Sequence, residues 1–177
     1  MPIELGRERL EAVLAAMVDH LAGDWLLVGG ALVALWLEPR RITEDIDLVG
    51  LAGSREQRFQ LMEFAATFDL SIEAVNSAAD FFVRRIAGWE QEIELFRSGS
   101  RGRIYRPTPT LFILLKIGRL SDQDLADCQA AIAKARKDSL ALDAGRILVS
   151  LEQLPATSEP AVLRRRAALR RELGEGI

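Results

Sequence analysis

Two pairs of residues near the N-terminus have the types and the spacing to act on phosphate groups. Asp45 and Asp47 are separated by one residue in the segment TEDIDLV. Side chains alternate between the faces of a strand, so both carboxylates would share a face and repel each other unless a cation lies between them. Gly29 and Gly30 open a helix, where bare backbone N–H groups lie near the positive end of the helix dipole. The pattern indicates nucleotide chemistry.

The elements that must position these residues are two strands and the helix between them. The apolar run Trp25–Val28 predicts the first strand, and the apolar run Ala31–Leu37 predicts a buried helix that Pro39 ends. The aspartates then lie on the second strand. The alternative is a polar strand face at a sheet edge. Strands are depleted in Asp and both flanks here are apolar, so a central, metal-binding strand is favoured.

The order and spacing of these motifs resemble the DNA-polymerase-β-like nucleotidyltransferases. Their signature is a hydrophobic residue with Gly-Gly or Gly-Ser, followed by Asp-hydrophobic-Asp-hydrophobic. The version here, VGGALVALWLEPRRITEDIDLV, is most similar to the small bacterial branch around the AbiEii and MenT toxins. In that branch the second strand commonly follows Arg-x-Thr-x-Asp, which Arg41, Thr43 and Asp45 match.

The resemblance implies metal-dependent transfer of a nucleoside monophosphate from an NTP to an acceptor hydroxyl. Mg²⁺ or Mn²⁺ would bind Asp45, Asp47 and a third carboxylate from a neighbouring strand. Glu94 is the best candidate for this third ligand, and Glu92, on the same predicted face, is the alternative. A solvated strand face is the competing interpretation of both glutamates. The predicted nucleotide-binding residues are Gly29, Gly30, Arg41, Thr43 and Lys116.

Arg41 and Thr43 lie between the predicted helix and the aspartates, and each has two possible roles. The Arg41 guanidinium can neutralise a phosphate, or it can hold the acidic strand through an ion pair with Asp45 or Glu44. The Thr43 hydroxyl can contact the nucleotide or fix the loop before the strand. The sequence leaves these alternatives open.

A second group of charged residues lies in the helical stretch PTPTLFILLKIGRLSDQDLADCQAAIAKAR. Lys116 is the one charged residue of the apolar run Leu111–Ile117. One interpretation is therefore a lysine whose ammonium group reaches out of the core to solvent. Relatives carry a pattern like L-x-x-K-x-x-R followed by D-x-x-D, which implies that Lys116 contacts nucleotide phosphates. Asp124 and Asp127 complete the pattern and are predicted to be structural. Ser121 and Asp124 also resemble a capping box.

The chain of 177 residues is long enough for one core with a helical appendage. We predict an α+β fold with a small mixed β-sheet nucleotidyltransferase core, packed with helices, over residues 1–107. A helical C-terminal part over residues 108–177 follows. Beside the two strands of the motif, the core is predicted to contain strands at Phe81–Ile86, Glu92–Phe96 and Arg103–Arg106.

Composition restricts the partners and the compartment. A net charge of −3 gives no general attraction to nucleic acid, so RNA binding would need a local patch such as the arginines from Arg164 to Arg166. The alternative for that run is a solvated helix face. The single cysteine, Cys128, cannot form an internal disulfide and is predicted to be a core residue. Without an apolar run of membrane-spanning length, we predict a cytoplasmic bacterial protein with no membrane partner.

Three functions remain compatible with the sequence. The first is an active nucleotidyltransferase whose acceptor is RNA such as tRNA, a protein or a small molecule, in a toxin–antitoxin or phage-defence system with an antitoxin partner. The second is a catalytically inactive descendant that binds a nucleotide or a partner protein with the same pocket. The third is an enzyme of the antibiotic-modifying kind, which predicts an acidic acceptor cleft near the aspartates. Fold-level analogy alone does not choose between them.

Overall fold

The structure, a computed structural model, describes residues 4–68, 70, 75–76 and 79–174. The chain forms two compact units, Met1–Pro107 and Thr108–Ile177. The first unit contains a mixed β-sheet with helices, and the described part of the second unit is helical. The predicted α+β fold class is therefore confirmed.

The first unit alternates helices with short strands. Its elements are α1 (Arg7–His20), β1 (Gly23–Val28), α2 (Gly29–Leu32) continued by a π-helical segment (Val33–Leu37), β2 (Ile46–Gly50), α3 (Arg55–Thr67), β3 (Val75–Asn76), α4 (Asp80–Arg84), a 3₁₀ turn (Trp89–Gln91), β4 (Ile93–Ser98) and β5 (Gly102–Pro107). The second unit contains α5 (Pro109–Ile117), α6 (Asp122–Asp138), α7 (Ala144–Glu152) and α8 (Pro160–Gly174).

The five strands form one sheet in the order β3-β2-β1-β5-β4. The neighbours β1 and β2 run antiparallel, as do β4 and β5, whereas β1 runs parallel to β5 and β2 parallel to β3. Every residue of β1 from Trp25 to Val28 is buried, and β2 is flanked on both sides by strands. The predicted central position of the second strand is therefore confirmed.

The apolar helix after the double glycine forms where the sequence predicts it, with an irregularity in its second half. From Val33 onward the backbone is π-helical, and the N–H of Glu38 donates to the carbonyl of Val33 at 2.8 Å. The segment Ala31–Leu35 is buried, as expected for a helix that is apolar on all sides. This arrangement ends the helix before Pro39 and delivers the chain to the loop that precedes β2.

One predicted strand is a helix. Phe81–Ile86 has the β-prone composition of a strand, but residues Asp80–Arg84 form α4. The Arg84 guanidinium binds the carboxylate of Asp80 one turn earlier at 2.7 Å and the carbonyl of Gly50 at 2.9 Å. These contacts stabilise a helical turn against β2. Tertiary contacts therefore override the local preference of the segment.

The helices of the second unit begin and pack as their sequences suggest. Thr108 caps α5, and Ser121 forms a reciprocal capping box with Asp124 at the start of α6, as predicted. Cys128 is fully buried, which confirms its predicted core role, and burial raises the pKa of its thiol to about 12. None of the helices in the described ranges is long and apolar enough to cross a membrane.

Candidate active site

The turn from β1 into α2 is shaped by the carboxylate of Asp47. Gly29 has a φ of +70°, in the left-handed region that glycine adopts without strain. A Cβ atom on Gly29 would lie 2.0 Å from Oδ2 of Asp47. The carboxylate therefore occupies the space that any other residue at position 29 would fill.

The space beside the second glycine, Gly30, is filled by the side chain of Thr43. A Cβ atom on Gly30 would lie 2.5 Å from Oγ1 of Thr43. The Thr43 hydroxyl also donates to the carbonyl of Asp45 at 3.2 Å and accepts from the N–H of Asp45 at 3.4 Å. The hydroxyl thus fixes the loop before β2, one of the two roles that the sequence allows. Its nucleotide-binding role remains a prediction.

These contacts join the two sequence motifs into one structural unit. The first turn of a helix leaves its backbone N–H groups without partners inside the helix. At this turn, the absence of side chains at positions 29 and 30 lets Asp47 and Thr43 approach the helix start closely. The glycines therefore make room for Asp47 and Thr43, which brings the two motifs together in space.

The two aspartates differ in environment. Asp45 is exposed and lies one residue before β2 begins at Ile46, so the prediction of a strand position holds for Asp47 only. Asp47 is half-buried within β2, where its backbone is opposite Val28 of β1 and Asn76 of β3. Both carboxylates belong to the end of the sheet at which β1 passes into α2.

The structure does not bring Glu94 to the aspartates. The strand order places β1 and β5 between β2 and β4, so three strand spacings, about 14 Å, separate the backbones of Asp47 and Glu94. The register also separates them by face. Leu26 pairs with Tyr105 and Tyr105 with Leu95, so the face that contains Asp47 continues to Leu95. Glu94, the preceding residue, lies on the opposite face.

Glu94 has a different partner in the first unit. Its carboxylate lies 2.5 Å from a guanidinium nitrogen of Arg106, the residue opposite it on β5. Arg106 in turn lies over the ring of Trp36 at 4.5 Å, and burial lowers its pKa while the charge of Glu94 opposes that shift. Glu92, the alternative third ligand, precedes β4 and is half-buried. The geometry assigns Glu94 to holding Arg106.

The donor set at Asp45 and Asp47 fits Mg²⁺ without a third protein carboxylate. Within residues 4–68, 70 and 79–174, no group of three or more His, Cys, Asp or Glu side chains is arranged to hold a metal ion. Mg²⁺ usually binds proteins through one or two carboxylates, with substrate phosphates and water as its other ligands. The two aspartates supply hard oxygen atoms, and the carboxylate of Asp47 lies against the glycine turn.

The structure tests one of the two roles that the sequence allows for Arg41, the ion pair with Asp45 or Glu44. The Arg41 side chain is half-buried and its N–H donates to the carbonyl of Glu38 at 2.9 Å, which places it in the turn after the π-helical segment. Among the described residues, its guanidinium forms no ion pair with Asp45 or Glu44. The ion-pair alternative is therefore wrong, and the phosphate-binding role remains a prediction.

Lys116 lies in the second unit, in a network of buried charges. Its Nζ is 3.1 Å from Asp124 and 2.8 Å from Asp127, and its side chain is 14% exposed. The ammonium group is thus held by two carboxylates instead of snorkelling to solvent. Asp124 and Asp127, which the sequence predicts to be structural, thus pair with basic residues. Whether Lys116 also contacts phosphate remains a prediction.

Asp124 is the centre of this network. It accepts two hydrogen bonds from the Arg119 guanidinium, at 2.7 and 2.8 Å, and two from Ser121 through Oγ and N–H, at 2.8 and 3.0 Å. Burial alone would raise the pKa of Asp124, but the hydrogen bonds from Arg119, Ser121 and Lys116 outweigh burial and hold that pKa well below its ordinary value. The carboxylate is fixed in its ionised form.

Sequence reasoning missed one residue that touches the candidate site. Leu5 forms an isolated antiparallel bridge with Thr43, and its side chain is fully buried. No motif includes Leu5. Its only signal in the sequence is an apolar residue directly before the glycine that precedes α1, which is too common a feature to single out.

Comparison with known proteins places the site in a family. The family model described as "Nucleotidyl transferase AbiEii toxin, Type IV TA system" matches residues 12–108, more than half of the chain. The matched range contains both glycines and both aspartates and ends before Lys116. No curated protein and no solved structure matches the chain. The resemblance predicted from the glycine and aspartate motifs is confirmed by this match.

Proposed function

Since the chain belongs to the AbiEii nucleotidyl transferase toxin family of type IV toxin–antitoxin systems, we propose that it transfers a nucleoside monophosphate from an NTP to an acceptor hydroxyl, with Mg²⁺ or Mn²⁺ held by Asp45 and Asp47. The enzyme class and the toxin–antitoxin setting follow from the family. The proposal adds the metal and its ligands, the NTP and the kind of acceptor.

One observation carries this proposal. The carboxylate of Asp47 lies against the backbone of Gly29, closer than any side chain at position 29 would permit. A half-buried acid in that position lies beside the N–H groups of the first helical turn, which suit an anion such as phosphate. Carboxylate oxygens for a cation and N–H groups for a phosphate thus lie side by side. A nucleoside triphosphate with a bound divalent cation requires both.

Each residue of the site has a role in this reaction. Asp45 and Asp47 bind the divalent cation, and Thr43 holds the backbone on both sides of Asp45. Gly29 and Gly30 leave room for the Asp47 carboxylate and the Thr43 hydroxyl at the helix start, and their backbone N–H groups are proposed to bind the phosphates. When bound, the cation neutralises charge that develops on the triphosphate and activates the attacking hydroxyl. The acceptor hydroxyl gives up its proton to water, its oxygen forms a bond to the α-phosphorus, the bond from that phosphorus to the bridging β-phosphate oxygen breaks, and pyrophosphate leaves.

Two basic residues are proposed to bind the phosphates. Arg41 ends the turn after the π-helical segment and is half-buried, and its guanidinium has no carboxylate partner within the described part of the chain. A planar guanidinium suits bidentate contact with phosphate. Lys116 is proposed on the basis of the family resemblance alone. In the structure its ammonium group is bound to two aspartates.

The acceptor and the partners form the less specific part of the proposal. We propose RNA, with tRNA as the first candidate, or a protein hydroxyl as the acceptor, and a cytoplasmic setting. An antitoxin is the expected partner, since the family is described as part of a type IV toxin–antitoxin system.

The test is a label-transfer assay with each of the four NTPs, at increasing Mg²⁺, offered bulk tRNA and total protein. The wild type is compared with the double variant Asp45→Asn/Asp47→Asn, which keeps the size of both side chains and removes their charge. Glu44→Gln is the matched control, because it removes an exposed carboxylate from the same loop. We expect transfer by the wild type and by the control, and a loss on the order of a thousandfold in the double variant, since metal ligation contributes several kcal/mol.

The other outcomes choose between the remaining functions. Mg²⁺-dependent NTP binding without transfer, lost in the double variant, would favour the catalytically inactive, nucleotide-binding descendant. Transfer to an aminoglycoside or a similar small molecule, with none to RNA or protein, would favour the antibiotic-modifying alternative. Absence of Mg²⁺-dependent NTP binding in the wild type would overturn the proposal.

A further inference from the structure

The segment before α1 is bonded to the loop that carries Asp45. The N–H of Leu5 donates to the carbonyl of Thr43 at 2.8 Å, and the N–H of Thr43 donates to the carbonyl of Leu5 at 3.3 Å. In the described residues this is the one β-bridge outside the sheet. Residues distant in sequence, one of them in the RxTxD motif, are thus joined by a pair of backbone hydrogen bonds.

Leu5 is itself firmly placed. Its side chain is fully buried, and Gly6, the next residue, precedes the first turn of α1 and accepts a hydrogen bond from the N–H of Leu10 at 3.0 Å. The helix that follows is anchored by buried side chains on its inner face, including Leu10 and Leu14. The bridge therefore connects the loop to a packed helix.

The loop has few other means of holding its shape. Ile42 is 54% exposed, and Glu44 and Asp45 are also exposed, so side-chain packing does not fix their positions. Thr43 is the half-buried residue among them. Its backbone is held by Leu5 and its hydroxyl lies in the space left by Gly30. From there the hydroxyl binds the N–H and the carbonyl of Asp45.

We propose that Leu5 is a positioning residue of the active site, which acts through Thr43 to hold Asp45 ready for the divalent cation. This inference rests on the proposed function, because it assigns Asp45 to metal binding. A residue that orients a metal ligand without touching the metal acts mainly on metal affinity. Loss of such a residue typically lowers that affinity about tenfold or more. The Leu5–Thr43 bridge should therefore set the metal concentration that the site requires.

The experiment removes the bridge and measures metal binding directly. A chain that starts at Gly6, with its initiator methionine cleaved off, has no residue opposite Thr43 and loses both bridging hydrogen bonds. Leu5→Met is the matched control, since it keeps the backbone bonds and an apolar side chain. Mn²⁺ binding to the NTP-free protein is measured by electron paramagnetic resonance, and the Mg²⁺ concentration for half-maximal transfer is measured separately. In the shortened chain we expect the Mn²⁺ affinity to fall about tenfold and the Mg²⁺ concentration for half-maximal transfer to rise about tenfold. Excess Mg²⁺ should restore transfer, and Leu5→Met should change neither quantity.

A role in folding alone would give a different pattern. It would lower the thermal unfolding temperature and the maximal rate while the Mg²⁺ midpoint and the Mn²⁺ affinity stayed at wild-type values, and that result would overturn the inference. If the shortened chain does not fold, the pair Thr43→Val and Thr43→Ser decides. Thr43→Val keeps the shape of the side chain and removes the hydroxyl, so we expect the tenfold loss of metal affinity in that variant. Thr43→Ser keeps the hydroxyl and should retain the wild-type affinity. Wild-type protein that binds neither Mn²⁺ nor NTP would instead sink the proposed function itself.

Discussion

Two pairs of aspartates, one in each unit of the molecule, occupy opposite kinds of environment. The side chains of Asp124 and Asp127 are 1% and 6% exposed, and both bind the ammonium group of Lys116. Asp45 is exposed, and Asp47 is half-buried against the backbone of Gly29. The first pair is neutralised by neighbouring cations, whereas the second lies at the start of β2 near solvent, with Asp47 against the glycine turn.

The difference shows how burial and pairing separate a structural carboxylate from a binding one. A buried carboxylate is stable only when cations and hydrogen bonds replace its lost hydration. Once this replacement is complete, as at Asp124, the group has little capacity left for a ligand. A carboxylate at the edge of solvent keeps its capacity and must be held in position by other means. In the first unit, the glycine turn and Thr43 provide that support.

The largest effect on folding should come from breaking the buried network. In Asp124→Asn, Lys116 and Arg119 keep their charges and lose their central anion, so we expect the free energy of unfolding to fall by about 3 kcal/mol or more. All three tryptophans lie in the first unit. Tryptophan fluorescence therefore reports the first unit, and the measurement is urea unfolding followed by far-UV circular dichroism, whose signal includes the helices of the second unit. Asp122→Asn is the matched control, because that side chain is 91% exposed and its loss should cost less than about 1 kcal/mol.

The pH dependence of this effect has a definite sign. The pKa of Asp124 is lowered in the folded state, so its contribution is complete above the ordinary carboxyl pKa and is lost as the pH falls toward the folded value. The difference between wild type and Asp124→Asn should be full at neutral pH and shrink below about pH 4. A difference that stays constant down to the acid unfolding transition would show that the charge of Asp124 is not what stabilises the unit.

A smaller effect, on activity, should follow from filling the space beside Asp47. In Gly29→Ala the methyl group meets Oδ2 of Asp47, and the φ of +70° costs a further 1 kcal/mol or so. We expect transfer to fall roughly a hundredfold, since a displacement of about 1 Å in a reacting group has that effect. Gly88→Ala is the control. That glycine also has a positive φ, of +73°, and a Cβ atom there would meet its nearest neighbour, Gln91, only at 3.4 Å. Equal activity losses in the two variants would mean that backbone strain, and not contact with Asp47, is responsible.

The smallest effect on activity and stability should come from changing Glu94, a carboxylate that belongs to neither pair of aspartates. Glu94→Gln removes one charge from a partly exposed ion pair with Arg106, so we expect stability to change by less than about 1 kcal/mol and transfer by no more than a few-fold. Label transfer and thermal unfolding are the two measurements. If transfer falls as far as it does in the Asp45→Asn/Asp47→Asn variant, Glu94 reaches the metal in the working enzyme, and the face assignment does not describe that state.

The sequence predicted the strand–helix–strand unit of the candidate site because its motifs are local. The strand, the double glycine, the apolar helix and the acidic strand are consecutive, so their order and composition are sufficient to place them. The capping box at Ser121 and the core position of Cys128 are equally local, and both are confirmed. Asp45 falls just outside β2 because the strand begins only where pairing with β1 and β3 begins.

The sequence could not predict on which face of the sheet Glu94 lies. Alternation shows that Glu92 and Glu94 would share a face of a strand, but it does not show which face of the sheet that is. The answer depends on the register of three successive strand pairs, and a slip of one residue in any of them would reverse it. The helix Asp80–Arg84, where the sequence predicts a strand, has a similar cause, since Arg84 binds the carbonyl of Gly50 far away in sequence.

The sequence alone thus determined the family, the enzyme class and the strand–helix–strand unit that carries the glycines and aspartates, because neighbouring residues specify each of them. Only the tertiary structure decided which acids share a face, which cation each carboxylate contacts and what holds the loop before β2. Contacts such as Leu5 with Thr43 and Asp47 with Gly29 depend on how separate segments pack. Their geometry becomes fixed only when the sheet and its helices have assembled.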